Sequence, residues 1–268
     1  MTKYRIIDAH IHPFTPECGK NIARFGHPQN VEELFGELKS LGISRCCGTF
    51  IVSAESLDFA DVMKLNEAAL VLREKYPDFY VPGIHIHGGY PEESCRMLRD
   101  FHREGVRWIG ELVNYSMPVG AYDSCGMMKI YETVCELGMV LNLHVSTPDL
   151  AALETVAQNF PRMNIVLAHP GDGGDFFQRL AVLKKYPNLH IDISGTGLFR
   201  WGCLRRLADE LGAERVIFGS DFPVCSPGMN LYGALSEHLT EEEFRLVLGG
   251  NFERLTGLKK QEKQSQGL

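Results

Sequence analysis

Short apolar runs rich in β-branched and aromatic residues recur along the chain, and longer stretches whose apolar positions return every three or four residues separate them. The runs occupy residues 4–12, 44–52, 80–87, 106–113, 139–144, 164–169, 189–194 and 215–221. The helical stretches fall at 30–41, 58–76, 91–104, 124–137, 148–160, 174–186 and 201–211. Such alternation predicts βα units and a parallel sheet. Gly42, Gly105, Gly138 and Gly212 each follow a helical stretch, where a left-handed residue closes the last turn. An open doubly wound sheet would show the same alternation. The count of eight strands favours a closed (β/α)8 TIM barrel, and closure is an expectation at this point.

Parallel barrel strands are covered outside by helices and inside by packed side chains, so polar residues within them need a reason. In the first run Asp8, His10 and His12 share one parity and Ile7, Ala9 and Ile11 the other. A period of two places the polar three on one face, expected to be the barrel interior near its C-terminal mouth. Polar residues recur at later strand ends: His85 and His87, then Glu111, His144, His169 and Asp221. Barrel active sites lie at that end. His10, His12, Glu111, His144, His169 and Asp221 are therefore expected to converge. Four imidazoles and two carboxylates suit one or two divalent cations, zinc first, with manganese, iron or nickel as alternatives. Without a cation, the carboxylates would repel in a buried volume.

A chain of 268 residues is about the length of one barrel, so a single domain over 1–258 is expected. The polar segment 259–268 has little to bury and is expected to be disordered. A net charge of −7 argues against a nucleic-acid partner. The N-terminus lacks the basic and long apolar run of a signal peptide, and no run reaches the roughly 18 apolar residues of a membrane span, so a cytoplasmic protein is expected. The eight cysteines include no Cys-x-x-Cys pair and read as free thiols.

Several of these runs together resemble the amidohydrolase superfamily, and more closely its compact TIM-barrel metal-dependent hydrolases, the amidohydrolase-2 group. The carriers are Asp8-Ala9-His10-Ile11-His12, Leu143-His144, Leu167-Ala168-His169-Pro170-Gly171, Ile191-Asp192-Ile193-Ser194 and Phe218-Gly219-Ser220-Asp221-Phe222-Pro223. Residues 248–255 resemble the family's final helix. The resemblance implies that His10, His12 and Asp221 hold one metal. His144 and His169 would bind a second or, in one-metal members, divide ligation and water positioning between them. Family members often carry a carbamylated lysine or a bridging glutamate on the fourth strand, and this chain has Glu111 there.

The expected activity is metal-dependent hydrolysis, in which an activated water cleaves an amide, lactone or ester of a small molecule, carboxylated in one version of this reading. Asp221 would serve as general base, and His169, where not a ligand, would stabilise the oxyanion. Arg24, His87, Asn114, Tyr115, Arg200 and Trp201, in loops that follow strands, are the candidate substrate contacts. Residues 13–28 could form a lid. One rival is a metal-dependent non-oxidative decarboxylase of a small carboxylic acid, and a remoter one is a non-catalytic ligand-binding barrel. A small molecule is the expected partner, and the sequence leaves room for a homo-oligomer.

Overall fold

The computed structural model describes residues 3–52, 57–117 and 119–258, so the polar segment 259–268 lies outside the described residues. Each apolar run yields a strand: β1 (Ile6–Ile11), β2 (Ile43–Gly48), β3 (Tyr80–Ile84), β4 (Trp108–Val113), β5 (Val140–His144), β6 (Ile165–Leu167), β7 (Leu189–Asp192) and β8 (Val216–Ile217). The helices between them are α1 (Val31–Ser40), α2 (Phe59–Lys75), α3 (Pro91–Arg103), α4 (Cys125–Leu137), α5 (Leu150–Asn159), α6 (Gly174–Lys185) and α7 (Cys203–Leu211). Gly42, Gly105, Gly138 and Gly212 all have positive φ, as expected of residues that end helices.

The strands run parallel in the order β1 to β8. Backbone bonds from Ala9 N to Phe218 O (3.0 Å), Asp221 N to His10 O (2.8 Å) and His12 N to Phe222 O (2.8 Å) join the last strand to the first. The fold is a (β/α)8 TIM barrel. Ile7, Ala9, Cys47, Trp108, Val140, Val166 and Ile217 form one apolar cluster, and residues so far apart around the ring can meet only along the barrel axis. The larger cluster, with Ile6, Ile109, Leu141, Ile165 and Ile191, packs against the helices.

Three sequence expectations need correction. Between Asp8 and Ile11, β1 advances three residues while β2 advances two, from Cys46 to Gly48. This extra residue is a bulge that breaks the alternation. Ile7 and Ala9 therefore lie in the axial cluster, and His10 still reaches the mouth. Asp8 does not join the donors: its carboxylate accepts from Ser220 N (2.9 Å), Ser220 Oγ (2.5 Å) and His10 N (3.2 Å), bracing β1 against the turn after β8. Second, β6 and β8 stop short of His169 and Asp221, which lie in turns beyond them. Third, the chain after β8 forms α8 (Pro227–Ser236) and α9 (Glu241–Arg245), which the periodicity did not single out, before a π-turn and α10 (Asn251–Thr256). Thr240 and Glu243 close a reciprocal capping box at the start of α9.

Phe252 and Leu255 of α10 join the axial cluster, with the Phe252 ring 5.2 Å from that of Trp108, the first residue of β4, so α10 plugs the N-terminal end. All eight cysteines are free. Among the described residues no helix is long and apolar enough to cross a membrane.

Candidate metal centre

The six expected donors come from five places on the rim. His10 is the last residue but one of β1 with His12 just beyond the strand, Glu111 lies in β4 and His144 closes β5. His169 and Asp221 sit in the left-handed region, at φ 66° and 63°. Side chains avoid that region because Cβ crowds the carbonyl, although His and Asp are among those found there more often. These two dihedrals turn the chain sharply after β6 and β8, so both side chains join the cluster at the mouth.

Glu111 stands at the centre, and its two oxygens face different partners. Oε2 lies 3.4 Å from both His10 Nε2 and His12 Nε2. Oε1 lies 2.8 Å from His144 Nδ1 and 3.3 Å from His169 Nε2. Asp221 Oδ1 is 3.3 Å from His12 Nε2 and 3.9 Å from His10 Nε2. The donor atoms form two triads, His10 with Glu111 and His169, and His10 with His12 and Asp221, each within 4.8 Å. His144 falls in neither triad; it is tied to Glu111 by a hydrogen bond.

The opposite edge of each ring is held. His12 Nδ1 meets Thr49 O at 3.2 Å, His10 Nδ1 meets Asp192 Oδ2 at 3.0 Å, and His169 Nδ1 meets Ser194 Oγ at 2.9 Å. With Nδ1 so engaged, Nε2 of each ring points inward. Burial opposes charging His10, yet Asp192 and Glu111 outweigh it and hold the ring well above its ordinary pKa. Burial likewise opposes charging His12, but the Asp221 and Glu111 carboxylates raise it to about 9. Asp192 is held at about 2, its burial cost outweighed by His10. Glu111 is pulled well below the carboxylate range by His10, His12 and His144 against its own burial. Glu111 and Asp192 are thus held ionised and favour positive charge beside them at His10.

A divalent ion fits this arrangement. His10 Nε2 is buried and makes no hydrogen bond. Two ligands of a tetrahedral ion with bonds of roughly 2.1 Å lie about 3.4 Å apart. The separations of 3.3–3.4 Å around Glu111, His10, His12, His169 and Asp221 match that edge and exceed a strong hydrogen bond.

The Amidohydrolase family model matches residues 7–258. The chain belongs to the amidohydrolase family. It is a metal-dependent enzyme of the amidohydrolase fold. A sequence search of curated proteins finds no match. Among solved structures, a 2,6-dihydroxybenzoate decarboxylase in complex with 2,6-dihydroxybenzoate superposes with a TM-score of 0.76 at 15% identity, over 96% of this chain and 99% of that one. A 5-carboxyvanillate decarboxylase from Novosphingobium aromaticivorans, with bound manganese and 3-methoxy-4-hydroxy-5-nitrobenzoic acid, gives 0.74 at 16% identity, over 96% and 98%. A probable 2-pyrone-4,6-dicarboxylic acid hydrolase from Acinetobacter baumannii, with citric acid bound, gives 0.71 at 18% identity, over 94% and 99%.

In this amidohydrolase five of the six expected donors, His12, Glu111, His144, His169 and Asp221, line a cavity of about 590 Å³, with His10 buried behind them. Ile22, Ile51, Val113 and Val224 give it apolar walls, and Arg24 is the one Lys or Arg among its lining residues. Arg24 and Ile22 come from the 13–28 segment and Tyr115 from the turn after β4, its ring 5.3 Å from that of His144. Of the other residues singled out as substrate contacts, His87, Asn114, Arg200 and Trp201 are absent from this lining. Both ring nitrogens of His87 serve the backbone, at Leu57 O (2.9 Å) and Gly89 N (3.0 Å). Arg200 grips Asp172 with two nitrogens, and with Trp201 it lines a neighbouring cleft. His85, bonded to Phe50 O at 2.7 Å and pushed down to about 4 by burial, stays outside the cavity as well.

Sequence reasoning did not assign roles to Asp192 and Ser194. The signal was present, because His190, Asp192 and Ser194 alternate with Leu189, Ile191 and Ile193, repeating the polar parity that drew attention to the first strand.

Proposed function

We propose that this amidohydrolase hydrolyses an amide, lactone or ester bond in a small carboxylated molecule, and that His10, His12, Glu111, His144, His169 and Asp221 would hold two divalent ions with Glu111 shared between them. The observation that carries the reading is the division of the Glu111 carboxylate, Oε2 toward His10 and His12, Oε1 toward His144 and His169. A divalent ion bound there supplies two things, a water with its pKa lowered from about 15.7 toward 7 and polarisation of the scissile carbonyl. Asp221 accepts the proton from the attacking water and passes it to the leaving group, a role that suits a carboxylate at the edge of the donor set and open to the cavity. Arg24 receives the substrate carboxylate with its guanidinium, and the aliphatic walls exclude water from the body of the molecule. Zinc is the first choice of ion; manganese, present in one structurally similar decarboxylase, is the second.

Decarboxylation is the alternative, and the likeness to two decarboxylases, one with bound manganese, favours it. In that chemistry Asp221 delivers a proton to the carbon that loses its carboxylate, and no water is consumed. Incubating metal-loaded enzyme with a panel of carboxylated lactones, amides and hydroxybenzoates in ¹⁸O water separates the two. Label in a new carboxylate supports hydrolysis, whereas carbon dioxide release with no label in the organic product overturns it in favour of the lyase. Full activity after complete removal of metal would overturn both.

A further inference from the structure

Beneath the donors lies a second layer of buried polar groups centred on Asp192 of β7, fully buried together with Ser194. Asp192 Oδ2 faces His10 Nδ1 at 3.0 Å and accepts from Asn142 Nδ2 at 3.2 Å. Oδ1 accepts from His169 N (3.3 Å), from Ser194 N (3.1 Å) and, at short range, from the Ser194 hydroxyl. Ser194 Oγ also lies 2.9 Å from His169 Nδ1 and 3.1 Å from His10 Nδ1. A β-carbon at Gly195, where φ is 62°, would fall 2.3 Å from His169 Nδ1, so the backbone after Ser194 is open for that ring.

Counting protons fixes the direction of every bond. A carboxylate only accepts, and a serine hydroxyl has one proton and two lone pairs. Ser194 must therefore spend its proton on Asp192, which leaves its oxygen able only to accept from the imidazoles. Both Nδ1 atoms then carry hydrogen, so that in the neutral, ion-binding form each ring presents its Nε2 lone pair to the centre.

We infer that Asp192 and Ser194 are positioning residues that set the tautomers of His10 and His169 together, so that one buried carboxylate prepares ligands for both ion positions. The inference rests on the reading of the donors as an ion centre. It assigns the two residues separable roles. Asp192 acts on His10 directly and on His169 through the Ser194 hydroxyl, whereas Ser194 is indispensable only to His169, because His10 retains Asp192.

Asp192→Asn replaces one acceptor by a donor and inverts the polarity of the network; Ser194→Ala removes only the relay. Stepwise zinc titration of the full chain against a competing chelator reads the affinity of each ion. Circular dichroism and thermal unfolding in chelator verify the fold. Asp192→Asn should weaken both ions at least tenfold, the scale on which outer partners of ligating histidines act. Ser194→Ala should weaken one ion at least tenfold, leave the other within threefold, and abolish the hydrogen-bonded Nδ1 proton resonance of His169 while that of His10 persists. Unchanged affinities in both variants, or equal weakening of both ions in Ser194→Ala, overturn the inference. Should Asp192→Asn fail to fold, Ser194→Ala decides alone. Uptake of a single ion by the unmodified protein would overturn the bridging role of Glu111 instead; the hub then stands on a tenfold loss of that ion in Asp192→Asn and falls if its affinity is unchanged.

Discussion

His169 and Asp221 occupy left-handed backbone that costs a side chain on the order of 1–3 kcal/mol, and the surrounding bonds hold them there. Asn tolerates that conformation about as well as Asp, so Asp221→Asn should leave the thermal midpoint within a few degrees while kcat falls by roughly 10²–10⁴. An unchanged kcat would remove Asp221 from proton transfer. Arg24 makes no ion pair among the described residues and lines the cavity, and Arg24→Ala should raise KM for a carboxylated substrate about 10–100-fold with kcat nearly preserved. A different acid response belongs to His190. Burial, then the charges of Arg254 and Arg215, push it down from 6.5 to about 3. Between those values the unfolded chain binds a proton that the folded chain refuses, so stability is lost as pH falls through that window. In chemical denaturation from pH 7 to pH 4, His190→Gln should lose less stability than the unmodified protein, by an amount on the order of 2–3 kcal/mol. The six side chains that converge at the mouth were legible in the sequence because ionisable groups interrupt strands that should be apolar. The two strained dihedrals were not, since only the assembled turn enforces them.

Among the elements, helices with strong amphipathic period and glycine stops were read within a few residues. β6 and β8 were overestimated because their apolar runs continue into turns, and the apolar composition of Ala168 or Phe218 does not distinguish strand from turn. The bulge in β1 shows the opposite limit: alternation looked perfect from Ile7 to His12, yet the register with β2 gains a residue. Only the partner strand reveals that, and the result is that Asp8 braces β1 against the turn after β8 while His10 faces the mouth. Helices α8 and α9 carried readable starts, Ser226-Pro227 and Thr240 with Glu243, but their mixed faces gave no clear apolar stripe. α10 matters beyond its length. Removing the Phe252 ring should cost about 3–5 kcal/mol in urea denaturation, since it fills the base of the axial cluster against Trp108. A loss below about 1 kcal/mol would mean that the base of the barrel repacks without it.

At the scale of the whole molecule, eight alternating units were enough to anticipate the architecture, whereas closure, an affair of three backbone bonds between β1 and the segment around β8, left no mark in the pattern. Those bonds join residues more than two hundred positions apart, and the donors straddle the same join: His10 and His12 on one side, Asp221 on the other. Stripping the ion with a chelator should therefore lower the unfolding temperature by several degrees, and adding zinc should restore it. Amide hydrogen exchange at Ala9, His12 and Asp221 should quicken more than at β4 and β5. A cation held there would then serve as a buckle as well as a reagent. A nascent chain cannot fasten it until its last strand has left the ribosome, so loading would report that the ring has shut.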